Sequence, residues 1–315
     1  MLRNYISTAS AHEDDLKSGS LALLGFENGP TSEHFQASTR VELISHDEAS
    51  HEVWQVDGDV LEKGSSGNCQ WSRTKTLQFC AISVNLEPDD DYEKVSQVAY
   101  QELLAFIKAS PHPELVRFWN YIPNINHGAG DNENYKRFCA GRLTAFNEHE
   151  YCDLQFPAAS AVGHYQQGIT IYALSAATSA QHHANPRQVD AFKYPRQYGP
   201  SSPSFARATT INLADQRLCF ISGTASILGH SSVHRGDLRL QLYTTNDNIL
   251  YLFKETGFKR SDIRTLRVYL RNKQDYAECQ SIVSDLFPDS TVIYLHADIC
   301  RADLLVEIEC FCVAD

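Results

Sequence analysis

Two segments in the C-terminal half combine residue types that can do chemistry together. The first, Asn185–Arg207, places Arg187, Lys193, Arg196 and Arg207 among Tyr194, Tyr198 and Phe205 in a Pro-stiffened stretch. In a chain with formal charge −12, a locally basic and aromatic stretch suggests a dedicated anion pocket. Arginine binds carboxylates through a planar two-pronged fork, so a substrate with two carboxylates would use two of them. Arg196 and Arg207 are the expected clamps, with Tyr194 and Tyr198 shaping the pocket and Arg271 and Arg301 in reserve. Taken singly, each arginine could equally be a surface ion pair.

The second segment, Asp298-Ile-Cys-Arg-Ala-Asp-Leu-Leu-Val-Glu-Ile-Glu309, ends in what reads as a buried strand. Alternation puts Leu305, Glu307 and Glu309 on one face and Val306 and Ile308 on the other. Apolar neighbours would desolvate Glu307 and raise its pKa, which suits a general acid near neutrality. Spacing alone leaves a second option open, a strand-edge carboxylate in water or paired with Arg301. Cys300 could line the same pocket. In Ser222-Gly-Thr-Ala-Ser226 a tight turn could present backbone N–H groups or the Thr224 hydroxyl to it.

Other chemistries find little support. The histidines lie in no HExxH or facial-triad spacing, so no metal site is expected. The Walker and GxGxxG patterns are missing, as is a GxSxG elbow. Nine cysteines without a CxxC pair read as buried small hydrophobes rather than disulfides. A pI near 5.5 argues against nucleic-acid binding. No apolar run approaches the ~20 residues that span a bilayer, and Met1 is not followed by a signal-like stretch. The expectation is a cytoplasmic protein with a small-molecule substrate, no cofactor and no membrane or nucleic-acid partner.

The elements that must position these residues fall into two halves. In a chain of 315 residues, two domains are the default. Strands are expected over 53–56, 77–86, 116–122, 160–165 and 169–174. Helices are expected over 92–110, capped by Asp89–Asp91 and stopped by Pro111, and over 134–146. The second half repeats the order. A hairpin (207–213, 218–222), a helix over 237–256 closed by Gly257, and a strand over 263–270 come first. A helix over 275–287 and strands over 291–296 and 304–310 follow. This reads as a structural duplication. The expected division is a tail over 1–30, a first domain over 31–184 and a catalytic domain over 185–315.

Longer motifs carry a family resemblance. Gly199-Pro-Ser-Ser-Pro-Ser-Phe-Ala-Arg-Ala and Val306-Glu-Ile-Glu309 resemble the YjgF/Rid fold. The implied fold class is α+β, with two such modules, each a mixed sheet with two helices on one face. Five blocks are similar to the chorismatases: Arg117-Phe-Trp-Asn-Tyr-Ile-Pro-Asn-Ile-Asn126, Asn134-Tyr-Lys-Arg-Phe-Cys-Ala-Gly-Arg142, Asn185–Arg207, Ile221-Ser-Gly-Thr-Ala-Ser-Ile-Leu-Gly-His230 and Ala297–Glu309. The matched stretch runs over residues 115–310. This resemblance implies cleavage of the enol ether of chorismate with release of pyruvate, and puts the family's catalytic acid on Glu307.

Tyr135 and Arg142 would add to the substrate site from the first half. Cys300 resembles the branch that forms 3-hydroxybenzoate, whereas Ala225 looks like the hydrolytic branch. The expected product is 3-hydroxybenzoate. Alternatives are a dihydroxycyclohexadiene carboxylate, mixed 3- and 4-hydroxybenzoate, or a silent Rid-like binder. Pro288-Asp-Ser-Thr-Val-Ile-Tyr lacks the arginine of Rid deaminases, so imine deamination is set aside. Two modules in one chain suit a monomer, and a standalone module a trimer.

Overall fold

The computed structural model describes residues 1–8, 20–27, 37–44, 49–56, 62–86 and 90–314. All four expected helices form: α1 (Tyr92–Ala109), α2 (Asn134–Glu148), α3 (Leu238–Thr256) and α4 (Tyr276–Leu286). Their ends follow local chemistry. The Asp91 carboxylate accepts from the backbone N–H groups of Glu93 and Lys94, and Asp237 caps α3 through Leu240. Gly257 closes α3 with φ +73°, a left-handed conformation that a side chain would strain. Asp89, expected to share the α1 cap, lies outside the described residues.

Nine strands build the frame: β1 (Leu77–Val84), β2 (Glu114–Pro123), β3 (Ala158–His164), β4 (Ile169–Ala176), β5 (Ala208–Asn212), β6 (Arg217–Thr224), β7 (Ile263–Leu270), β8 (Thr291–His296) and β9 (Val306–Ala314). The first sheet runs Asp298–Ile299, β3, β2, β4, β1, Cys69–Arg73, Glu62–Ser66. The second runs Ala180–His183, β5, β6, β9, β7, β8, Glu42–Leu43. The middle of each has the same order. β3-β2-β4-β1 matches β8-β7-β9-β6, with one parallel pair (β2/β3, β7/β8) and antiparallel neighbours elsewhere.

Register equivalence is equally close: Tyr121 faces Thr170 across β2 and β4, as Tyr269 faces Glu307 across β7 and β9. Thr170 thus holds in the first half the place of Glu307 in the second, and there it accepts from Arg40 Nε at 2.6 Å. The duplicated frame carries its acid once. The fold class is α+β.

Helices α1 and α2 cover the outer face of the first sheet, and α3 and α4 that of the second. The inner faces share one core, into which Trp54 packs at 5.6 Å from Trp119 and 5.1 Å from Phe311. Trp54 belongs to a third, four-stranded sheet made of Leu2–Thr8, Ala49–Val56, Ser20–Gly25 and Ala37–Ser38.

The expected tail over 1–30 is therefore corrected where it is described. Leu21, Ala22, Leu23 and Leu24 are fully buried, because this apolar run has a core to cover. The expected division at residue 184 is also crossed. Ala180–His183 joins the second sheet, Glu42–Leu43 extends it beyond β8, and Asp298–Ile299 pairs with β3 of the first. The last strand starts at Val306 rather than 304, since the Leu305 N–H is taken by the Gln241 side chain at 2.8 Å. No described helix is long and apolar enough to cross a membrane.

Candidate active site

The two sheets meet where β3 lies against β5 and β6. Ala158 N–H donates to Thr209 Oγ1 at 2.8 Å and Ala159 N–H to Ser222 Oγ at 2.9 Å. At this seam the β6–β9 ladder is interrupted between Ile221 and Thr224. Gly223 sits in the interruption and donates its N–H to Ser160 Oγ at 3.0 Å. A Cβ built on Gly223 would stand 2.0 Å from Glu307 Oε1, so the missing side chain is the space the acid occupies.

A cavity of about 560 Å³ opens over this point. Glu307 and Gly223 line it from the second sheet, Ser160 from β3, Tyr135 and Arg142 from α2, and Cys300 and Arg301 from the segment that follows Asp298–Ile299.

Glu307 is 4% exposed, and no hydrogen-bond partner is found for its Oε1 among the described residues. Burial, then repulsion from Glu309, pushes its carboxyl up to about 8, against the opposing pull of Arg117. Glu309, on the same strand face, has the opposite fate. Burial would raise it too, but Arg117 and Arg267, with hydrogen bonds from Ser160 and Trp119, hold it below the ordinary carboxylate range. Two carboxyl groups two residues apart are thus driven to different protonation states, the arrangement that separates an acid from a fixed charge.

A stability consequence follows from the sign of this shift. Glu307 holds a proton in the folded chain up to a pH near 8 that the unfolded chain releases near ~4.3. Its contribution to stability is complete below the lower value and lost as pH rises through the upper one, by up to ~1.4 kcal/mol per pH unit. Glu307→Gln removes that slope. The melting temperature of the variant should gain on the parent steadily from pH 5 to pH 8, and a constant difference across that range would contradict the raised pKa.

The cations fall into two groups. Arg207 is buried; its Nη2 donates to Val189 O at 2.7 Å and Tyr194 Oη at 2.8 Å, while Nε meets no partner among the described residues. Arg142 is also buried, with three ring centroids close by (5.2 Å to Tyr100, 5.4 Å to Phe146, 5.6 Å to Phe118) and no hydrogen-bond partner for Nε or Nη2 among the described residues. Donors left over on buried guanidiniums are costly unless an anion completes them. Arg196 lies elsewhere. It is absent from the cavity lining and forms an exposed two-pronged ion pair with Asp131 at 2.9 and 2.6 Å, so it is no clamp. Arg271 is used structurally, on Asp298 and the carbonyls of Ile299, Arg301 and Leu304.

Of the remaining expected residues, Tyr194, Tyr198, Tyr135, Ala225 and Cys300 line the cavity. Thr224 does not; its hydroxyl turns back to Ser222 O at 2.8 Å because the interrupted strand offers that carbonyl. The Cys300 thiol is pushed up to about 12, first by burial and then by Glu307, so it is a neutral group. Arg301, held in reserve on sequence grounds, stacks 4.0 Å from the Tyr198 ring centroid and donates to His230 O and Ser232 Oγ rather than to Glu307. Ser160 is a cavity residue that sequence reasoning misses; Gly223 was seen only as part of the Ser222–Ser226 turn, and its N–H goes to Ser160. Among the described residues no group of three His, Cys, Asp or Glu is placed to hold a metal.

A cavity that holds a buried, protonated carboxylic acid beside buried guanidiniums is equipped to protonate an anionic substrate. Comparisons with known proteins agree. Residues 52–175 match the family described as chorismatase FkbO/Hyg5-like, N-terminal. The chain is 34% identical over 300 residues to a 3-hydroxybenzoate synthase of Streptomyces hygroscopicus, covering 89% of this chain and 86% of that one. It is 34% identical over 278 residues to a chorismatase of Streptomyces rapamycinicus, covering 84% and 82%. A chorismatase crystal structure superposes with a TM-score of 0.89 at 29% identity, over 99% of this chain and 98% of that one. The chain belongs to the chorismatase family.

Proposed function

We propose that this enzyme cleaves the enolpyruvyl ether of chorismate to pyruvate and 3-hydroxybenzoate, in the cytoplasm and without a cofactor. The observation that carries the reading is Glu307, a buried acid without a partner at Oε1, beneath a cavity lined by Arg142 and Arg207. Protonation of the enol-ether methylene by Glu307 makes a methyl group and an oxocarbenium centre. The neighbouring ring hydroxyl then attacks the ring carbon that bears the ether. That C–O bond breaks, its electron pair leaves with the oxygen as the ketone of pyruvate, and the hydroxyl proton returns to the Glu307 carboxylate. The resulting arene oxide opens by cleavage of one C–O bond, its oxygen takes up a proton and the ring carbon gives one up, which yields the phenol.

Displacement of bulk water by the bound substrate would favour this internal attack over hydrolysis. The neutral Cys300 thiol beside Glu307 and the synthase relative support the aromatic product. Ala225, which lines the same cavity, favours the hydrolytic diol as the second reading. Incubation with chorismate, with pyruvate assayed and the ring product separated by chromatography, decides. Pyruvate with 3-hydroxybenzoate is expected. A non-aromatic diol would move the protein to the hydrolytic branch, and no pyruvate would overturn the function.

The two arginine environments make a paired expectation. Arg142→Met should raise KM for chorismate at least about tenfold, since a charge-assisted bond to a buried carboxylate carries ~1.5–3 kcal/mol. Arg196→Ala should change kcat/KM less than about twofold, as exposed ion pairs contribute little. Steady-state kinetics on both variants would expose an error if their effects were reversed.

A further inference from the structure

Beneath Glu307 lies a buried cluster of charges whose arrangement bears on the proposed chemistry. Glu309 Oε1 accepts from Trp119 Nε1 at 2.8 Å and Arg267 Nη1 at 3.0 Å, and Oε2 from Arg117 Nη2 at 2.6 Å and from the Ser160 hydroxyl. Arg267 reaches on to Glu52, which also accepts from Trp54 Nε1 at 2.9 Å and Asn4 Nδ2 at 2.6 Å. Two carboxylates and two guanidiniums are therefore packed in a core where apolar residues of similar volume would serve stability as well or better.

Ser160 connects this cluster to the acid. The hydroxyl that donates to Glu309 also accepts from Arg117 and from the Gly223 N–H. Gly223 is the residue whose missing Cβ leaves room for Glu307 Oε1, and the same absent Cβ would stand 3.0 Å from Ser160 Oγ. One short chain of contacts runs from the fixed charge, through Ser160, to the notch that holds the acid.

We propose that Glu309 is a positioning residue for Glu307: clamped by Arg117, Arg267 and Trp119, it holds Ser160 and the Gly223 notch in place and aims a fixed negative charge at the acid. The titratable and charged groups acting on Glu307 come from four elements: Glu309 on β9, Arg117 on β2, Tyr135 on α2 and Cys300 after Asp298–Ile299. Burial keeps the Tyr135 hydroxyl and the Cys300 thiol neutral at working pH. Glu309 and Arg117 therefore set the field, with opposite signs.

The inference rests on Glu307 being the acid for chorismate, and its test separates the two claims. Pyruvate release would be followed from pH 5.5 to 9.5 for the parent, Glu309→Gln and Ser160→Ala, each checked for folding by circular dichroism. Glu309→Gln is expected to move the alkaline fall of kcat/KM down by about a unit or more, so that the loss reaches about tenfold at pH 9 and is much smaller at pH 6. Ser160→Ala keeps every charge and is expected to lower kcat about tenfold with KM within about twofold.

An alkaline limb that stays put in folded Glu309→Gln overturns the inference. If that variant does not fold, an unchanged kcat in Ser160→Ala overturns it and a loss in kcat alone supports it. Failure of the functional reading looks different: the parent releases no pyruvate, or Glu307→Gln keeps the parent rate, and the inference falls with it.

Discussion

Glu307→Gln is expected to reduce kcat for chorismate by about 10²–10⁴ while leaving binding within a few-fold of the parent. The magnitude is that of a general acid removed from a reaction whose other components stay in place. Glutamine keeps the shape of a side chain that is 4% exposed and replaces the acidic O–H with a non-acidic amide, so the substitution chiefly tests the proton. Substrate affinity should persist because Arg142 and Arg207 are untouched. Turnover assays and equilibrium binding of chorismate to the variant measure the two halves separately. A variant that binds and turns over at the parent rate would remove Glu307 from the chemistry, and one that fails to bind would make it a recognition group.

The second large effect is expected from Gly223→Ala. The new methyl would meet Glu307 Oε1 at 2.0 Å and Glu307 Cδ at 2.7 Å, closer than any real contact. Backbone is fixed on both sides, by the β6–β9 ladder at Ile221 and Thr224 and by the bond from Gly223 N–H to Ser160, so the carboxyl must be the group that moves. A displacement of an ångström in an acid that must meet one carbon atom costs on the order of 10² in rate. The loss should appear in kcat more than in KM. Retention of parent kcat in a folded Gly223→Ala protein would mean that the acid works from another rotamer.

These two residues also show what could be read before the fold was known. Strand alternation and apolar neighbours made Glu307 a candidate for desolvation but left a solvated or Arg301-paired carboxylate open, and the family resemblance is what singled it out. Arg207, Tyr194 and Tyr198 were legible as a group because one short loop carries them. Arg196 in that same loop was not. Local basic density does not say which side chains leave a surface turn outward, and its partner Asp131 lies far back in the sequence.

Ser160 acquires its place only at the seam between the two sheets, where residues distant in sequence meet, so its own segment gave no sign of it; the Ser222–Ser226 turn pointed to the pocket, but the notch that Gly223 leaves for Glu307 required the pairing. Of the N-terminal strands, Val53–Val56 was read and the others were not. Leu2–Thr8 and Ser20–Gly25 fall where a tail was expected, and both gain their place only by pairing with Ala49–Val56, distant in sequence. The repeat of helices and strands was visible in outline. That only the second copy bears an acid, with Thr170 at the matching register of the first, required the pairing itself.

The most direct test of the central claim is the pH dependence of kcat/KM for pyruvate release from chorismate by the parent protein. A buried carboxylic acid pushed up to about 8 predicts a rate that is level through neutrality and falls about tenfold per pH unit above that value, as the proton is lost from the free enzyme. A rate that stays flat or rises from pH 8 to pH 9.5 would show that the proton comes from elsewhere, and would contradict the assignment of Glu307 as the acid.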